Sequence, residues 1–283
     1  WEKVKTNAYS YIGWNMRKPL FSDRDVRRAM SHAFPRERII REVYHGLGEP
    51  VDSDVHPNND YAKGLNLKPY AFDLARAAEL LKQAGWKDSD ADGWLDKTID
   101  GQLIPLRFAV KYQANSPDWD NTLLIFKDEL KKIGVDMKPD PKEWKELLRV
   151  YEDRDFDAVV GAWRNGDLEL DFFQLWHSSQ ADEAHSSNHC GFKNKTVDQL
   201  ADTLRTTFET PDRVRVAQQI LTIIHEEQPY TFFRSSEGII CWHNRGPPAK
   251  ERYIDGITQS MDAFHPLYSR AKILYRIHWH FRD

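Results

Sequence analysis

Several things are scarce in this chain, and each absence excludes a class. No apolar run in its 283 residues approaches the roughly 20 needed for a membrane-spanning helix. Cysteine occurs only as Cys190 and Cys241, which allows one disulfide and decides nothing about redox compartment. A chain of this length buries a core without disulfides or metal to hold it. Glycine and proline, 14 of each, are too sparse for a collagen-like or low-complexity chain. With 40% hydrophobic and 30% charged residues, it is not a disordered chain either. Neither sign of charge dominates: 40 Lys and Arg stand against 44 Asp and Glu, so the basic field that nucleic-acid binding favours is missing. The opening WEKVKTNAYSYIGWN has no initiator Met, basic n-region or apolar h-region, and the chain reads as mature or as cut from something longer. There is no G-x-S-x-G elbow, P-loop, G-x-G-x-x-G after a strand, or H-E-x-x-H. Abundant Asp/Glu pairs in so charged a chain do not amount to an acid/base couple.

What is present is a heavy aromatic load, ten Trp, eleven Tyr and fourteen Phe, several in polar stretches. Helical spacing follows Ser22/Asp23 (Val26, Ala29, Met30, Ala33), then Arg36 to Tyr44 after Pro35, then Asp73 (Leu74, Ala77, Ala78, Leu81) with Gly85 closing. Asp120 or Asn121 is expected to open a helix through Leu123, Phe126, Leu130 and Ile133, and helices follow at Lys142–Glu152, Thr196–Phe208 and Pro211–Glu227. Leu106, Phe108, Val110 and Tyr112 alternate as in a half-buried strand. Strands at Val135/Met137 and Phe156–Trp163 complete consecutive βαβ units, so residues 105–163 read as an α/β lobe. Tyr230–Phe233 and Gly238–Trp242 read as two further strands. Basic runs such as Arg24–Arg28 read as the solvated face of a helix. Ala263–Asp283 lacks periodicity and reads as a tail that packs on something else.

The stretch YIGWNMRKPLFSDRDVRRAMSHAFPRERIIREVYHGLGEP (Tyr11–Pro50) resembles bacterial extracellular solute-binding proteins of the dipeptide/oligopeptide class. YAFDLARAAELLKQAGW (Tyr70–Trp86), KDSDADGWLDKTIDGQLIPLRFAV (Lys87–Val110), IGVDMKPDPKEWKELL (Ile133–Leu148), DFDAVVGAW (Asp155–Trp163) and Gly191–Phe233 follow in the same order. The resemblance implies an α/β fold, the C-terminal lobe of a two-lobe periplasmic-binding-protein fold of the peptide-binding class. It divides the chain into a remnant of the preceding lobe or hinge (1–10), a second lobe (11–245) and a segment returning to the first lobe (246–283). It implies a non-enzymatic receptor of an ABC importer, periplasmic or extracellular on the outer face of the cytoplasmic membrane. Its expected partners are peptides or another small solute and the transporter's permease subunits. A monomer is expected, touching membrane only through the transporter or a lipid anchor, with no nucleic-acid partner. Non-peptide solutes, a metal-dependent hydrolase and a calcium-stabilised signalling ectodomain stay open as alternatives.

Three clusters carry candidate chemistry. The segment Gly161–Trp176 follows a buried strand, where α/β lobes place ligand loops. Trp163 offers an apolar face, Arg164 a carboxylate grip, and Asp167 or Glu169 a counter-charge for a cation; Asn165, Phe172 and Tyr112 join the expected ligand set. In peptide-binding relatives this loop resembles Trp, a few small residues, an amine-pairing Asp, then Pro. Here Gly166 stands nearest the Asp position, and Leu170 replaces the Pro. Asp88, Asp90, Asp92 and Asp96, with the Trp94 carbonyl, reproduce the first part of a calcium loop, although Ile99 stands where the bidentate Glu belongs. Calcium there would be a structural staple, no other cofactor is expected, and the alternative is an acidic loop leading into a hairpin. His177, His185, His189 and Cys190 have no zinc spacing and read as a polar surface loop; His278 and His280 carry still less.

Overall fold

The computed structural model describes residues 2–165 and 170–240. Its opening thirteen residues form one long strand, β1 (Glu2–Trp14), which the sequence patterning did not single out. Three helices follow: α1 (Pro19–Ser22), α2 (Arg24–Ala33) and α3 (Arg36–Glu42). Asp23 caps α2 by accepting from the Asp25 N–H at 2.8 Å. A two-residue strand β2 (Glu49–Pro50) and a long loop lead to α4 (Leu74–Gln83), capped by Asp73 through the Arg76 N–H at 2.9 Å. The acidic loop then enters a hairpin, β3 (Asp96–Ile99) and β4 (Gln102–Pro105).

The expected βαβ units are present: β5 (Arg107–Gln113), α5 (Pro117–Lys131), β6 (Asp136–Lys142), α6 (Trp144–Asp153) and β7 (Ala158–Arg164), with β5 parallel to both β6 and β7. Helix α5 begins at Pro117, earlier than the Asp120/Asn121 start expected. Proline there loses no hydrogen bond, and Asp118 and Asp120 in the first turn suit the positive end of the helix. After a short α7 (Phe173–Trp176) come α8 (Lys195–Thr206), α9 (Thr210–Glu227) and β8 (Tyr230–Ile240). Strand β8 is continuous through Arg234–Glu237, where two strands were expected. Pairing to β1 carries it across, with register shifts between Lys5 and Tyr9 and between Ser10 and Tyr11 taking up the irregularity. Trp242, Cys241 and the 246–283 segment lie outside the described residues.

The main sheet runs β2-β8-β1-β7-β5-β6, with β1 antiparallel to both neighbours. Helices cover both faces, and the strand alternation sorts side chains between two cores. Ile12 and Trp14 of β1, Phe108 and Val110 of β5 and Phe233 of β8 face the core beneath α2, α4 and α5. Tyr9 and Tyr11 of β1 and Tyr230 and Phe232 of β8 face the opposite core with α8 and α9. A small third cluster joins Leu147 and Val150 of α6 to Phe156 and Val159.

One member of the basic run does not face solvent. Arg27 is 1% exposed, because the last turn of α9 leaves carbonyls that need donors. Its Nε and Nη2 donate to the Glu227 carbonyl at 3.0 and 2.8 Å, and its Nη1 to the carbonyls of Phe21 and Ser22 at 2.8 and 3.0 Å. The Glu227 carboxylate accepts from Nη2 at 3.2 Å. Burial lowers the Arg27 guanidinium to about 10, still charged at neutral pH. Replacing Arg27 by Met strands these acceptors and is expected to cost about 3 kcal/mol, read as a lower urea midpoint at unchanged slope, with Arg27→Lys recovering only part.

Candidate functional site

At the carboxyl ends of β5 and β7 the surface folds into a concavity of about 520 Å³. Gln113, the last residue of β5, and Ser116 and Trp119 at the start of α5 form one side. Helix α6 forms another. Its Trp144 and Leu148, 54% and 41% exposed, sit four residues apart at the opening, with the buried Leu147 beside them in the lining. Val160 to Trp163 of β7 supply the back wall, and His185 and His189 close the remaining side.

The floor depends on a close backbone approach. Tyr11 of β1 lies against Gly161, where an added Cβ would sit 2.4 Å from its Cζ and Oη. Tyr11 cannot retreat, because its ring stacks on Tyr230 with centroids 3.8 Å apart and planes 12° from parallel. The polar ends of Trp163 and Tyr151 are satisfied within the protein. Trp163 Nε1 donates to the Tyr230 hydroxyl at 3.3 Å, and Tyr151 donates to the Val160 carbonyl. Burial holds the hydroxyls of Tyr11, Tyr151 and Tyr230 well above their ordinary range. The His189 ring lies 4° from parallel to Trp163, centroids 6.2 Å apart, and 4.9 Å from Tyr151. Burial first, then the charges of Arg154 and Arg17, push His189 down to about 4, so it is neutral at pH 7. Burial likewise pushes the Cys190 thiol up to about 12. The described lining thus presents aromatic faces and imidazoles, with Glu152 its single carboxylate.

Of the expected ligand residues, the structure places Trp163 in this wall. Arg164 follows it as an exposed strand residue opposite Ala8. Asn165 is committed to the framework: its N–H donates to the Asn7 carbonyl and its Nδ2 to the Asp54 carbonyl, both at 2.9 Å. Asp167 and Glu169 lie outside the described residues. Tyr112 and Phe172 are core residues and do not line the concavity. Tyr112 points from β5 into the core and donates to Asp120 Oδ1 at 2.6 Å; strand alternation gives the lining position to Gln113 instead. Phe172 is buried among the α8 and α9 contacts.

In the acidic loop, carboxylate oxygens of Asp88, Asp90 and Asp96 come within 4.8 Å of one another, part of an oxygen shell that a hard cation could use. Asp92 is not in that group: its Oδ1 accepts from the Trp94 N–H at 2.8 Å. Asp88 accepts from the Gly93 N–H at 3.0 Å, and Asp96, held below the usual carboxylate range by Ser89, accepts from that hydroxyl at 2.6 Å and that N–H at 2.9 Å. Only the acidic loop groups metal-ligating side chains among the described residues. The histidine-rich loop is not simply a solvated surface, since Cys190 is buried and His185 and His189 line the concavity.

Gly161→Ala is expected to destabilise the chain by about 2 kcal/mol through overpacking against Tyr11, read by urea denaturation, and to shift the Trp163 fluorescence. For His189 the folded pKa lies below the ordinary imidazole value of about 6.5. Its contribution to stability is therefore complete above that value and lost as pH falls toward 4. Thermal melts between pH 7 and 4 should show a decline on the order of 2 kcal/mol that His189→Gln removes.

Known proteins resemble this chain in both sequence and fold. The oligopeptide-binding protein AppA of Bacillus subtilis is 32% identical over 228 residues, covering 80% of this chain and 41% of AppA. The dipeptide-binding protein of Escherichia coli is 26% identical across 77% of this chain and 38% of its own length, and heme-binding protein A of Haemophilus influenzae 24% across 78% and 38%. The solved structure of Bacillus subtilis AppA in complex with a nonapeptide superposes with a TM-score of 0.76 at 30% identity, covering 83% of this chain and 46% of that one. The chain therefore spans less than half the length of these relatives, and its α/β fold corresponds to about half of a peptide-binding protein. Residues 1–184 match the family described as bacterial extracellular solute-binding proteins, family 5, middle part. With most of its length matched and its fold shared, this chain belongs to the bacterial extracellular solute-binding proteins of family 5.

Proposed function

We propose that this chain supplies one wall of the solute-capturing cleft of an ABC importer's receptor, working outside the cytoplasmic membrane, and that its solutes are peptides. The observation that carries this reading is the aromatic concavity around Trp163 and Tyr11, in a chain similar to a protein whose structure holds a nonapeptide. The mechanism is differential binding. A solute that touches a second wall only in the closed form shifts the receptor toward closure. Main-chain hydrogen bonds and terminal charges would supply affinity, leaving side-chain pockets permissive. In this reading residues 1–10 lead from a preceding lobe, 11–245 form the second lobe and 246–283 return toward the first. No described helix is long and apolar enough to cross a membrane.

Three observations favour a non-peptide solute. His185 and His189 bring two imidazoles to the concavity, Leu170 stands where the peptide-binding pattern has Pro, and one relative is a heme-binding protein. Native mass spectrometry of the protein purified from its own host, followed by denaturation, separates the readings. A ladder of short peptides is the expected result. One discrete non-peptide mass replaces peptides with that solute, and an empty protein under all conditions overturns the receptor reading. This chain alone, offering one wall, is expected to bind trialanine only in the millimolar range; low-micromolar affinity would overturn the two-wall mechanism.

A further inference from the structure

Beneath the Trp163 strand end lies a buried carboxyl group that the binding scheme does not use. Asp54 is 2% exposed and touches both ends of the segment that follows Trp163. Its backbone carbonyl accepts from Asn165 Nδ2 at 2.9 Å, and its Oδ2 accepts from Trp176 Nε1 at 2.6 Å. Asn165 is two residues beyond Trp163, and Trp176 closes α7. The other carboxylate oxygen, Oδ1, is buried without a hydrogen-bond partner, as is the hydroxyl of Tyr9 on β1. Tyr9 feels the Asp54 charge, which together with burial raises its hydroxyl. A buried carboxylate with one oxygen left unpaired carries a desolvation cost that the fold must offset elsewhere.

We propose that Asp54 is the positioning residue of this wall: its backbone carbonyl holds Asn165 and its carboxylate holds Trp176, and together these two bonds set Trp163 against the concavity. The inference rests on the reading of Trp163 as a solute-facing residue. Ionised, Asp54 receives a charge-assisted bond from the indole N–H; protonated, it offers that N–H only a neutral acceptor. Burial raises its pKa to about 6, against about 3.9 for a free carboxyl. The folded chain therefore holds a proton in that interval that the unfolded chain has lost. Asp54's own contribution to stability is complete below about 4 and lost as pH rises through about 6, opposite in sign to that of His189, while the indole hold tightens over the same range.

The surrounding charges are otherwise engaged. On the adjoining segment Asp52 pairs with Arg36 at 2.7 Å, and His56 lies 3.3 Å from Glu49. From α9, Arg213 donates to the Leu170 carbonyl at 3.2 Å, and His225 bonds the Asp52 carbonyl at 2.7 Å. Tyr9 faces Asp54 from β1, and α7 contributes the uncharged Trp176.

The test follows the indole ¹H–¹⁵N signals of Trp163 and Trp176 in this chain from pH 4.5 to 8, with no ligand added. Both should move with one midpoint near 6, and Asp54→Asn, which keeps an acceptor for Trp176, should fix both near their low-pH positions. A titration of Trp176 with Trp163 silent overturns the proposal, as does an unchanged Trp163 profile in the Asn variant. Should that variant fail to fold, the ¹³C carboxyl signal of Asp54 in the wild type decides: a midpoint near 4, or one that does not coincide with Trp163, overturns it. Because no solute enters this experiment, its failure leaves the peptide reading standing, and failure of that reading leaves this result intact.

Discussion

Everything in the sheet depends on the double pairing of β1. It joins β7 on one edge and β8 on the other, so the chain's first strand seals the parallel βαβ half to a strand that begins only at Tyr230. The junction at its end is reinforced by side chains and loops. The Trp14 N–H reaches the Pro229 carbonyl at 3.0 Å and the Asn15 N–H reaches Asp157 at 2.9 Å, while Asn15 Nδ2 bonds the carbonyls of Arg154 and Phe156 at 3.0 and 2.9 Å. These bonds fix where β7 starts, and hence which of its residues arrive at the rim. Tyr11, in the middle of β1, then meets Gly161 directly across the ladder. The site's floor is thus a consequence of strand register, since a one-residue slip would send Tyr11 to the opposite core.

The parallel half was legible because its signals are local. Leu106, Phe108, Val110 and Tyr112 alternate cleanly, and each following helix carries an apolar stripe of its own. Strand β1 was not, because both its faces are buried by different cores. Tyr9 and Tyr11 go one way, Ile12 and Trp14 the other, and no polar alternation survives to mark the strand. Arg27 was misread for a related reason. A helix pattern shows which face an arginine occupies but not that the end of α9, two hundred residues away, lies against that face.

The site shows the same division. Trp163 follows from the rule that ligand loops leave the carboxyl ends of strands, and the structure puts it in the wall of the concavity. The alternation that identifies the strand of Tyr112 also turns this side chain inward and leaves Gln113 at the rim of the concavity. Trp119, Trp144, Tyr151, Tyr11 and His189 come together from four separate stretches, with no motif linking them. The available hint was compositional, an aromatic excess in polar stretches. In α6 it was sharper, since Trp144, Leu147, Leu148 and Tyr151 recur at helical spacing and all line the concavity. Nothing local marked the histidine loop, because its Ser and Asn residues serve internal bonds such as those of Asn188 to Phe192 at 2.9 Å.

The electrostatics of the wall bear on the kind of chemistry it supports. Burial moves the hydroxyls of Tyr11, Tyr151 and Tyr230 and the thiol of Cys190 upward, and the imidazole of His189 downward. All five shifts favour the neutral form at pH 7. A nucleophile or general base needs the opposite, a group poised to exchange its proton near neutrality. Neutral rings whose polar atoms are already bonded within the protein offer shape and stacking instead, and a one-sided surface of that kind holds a solute weakly. In the proposed function these residues are the preformed face of one wall, and closure is what would supply the remaining contacts.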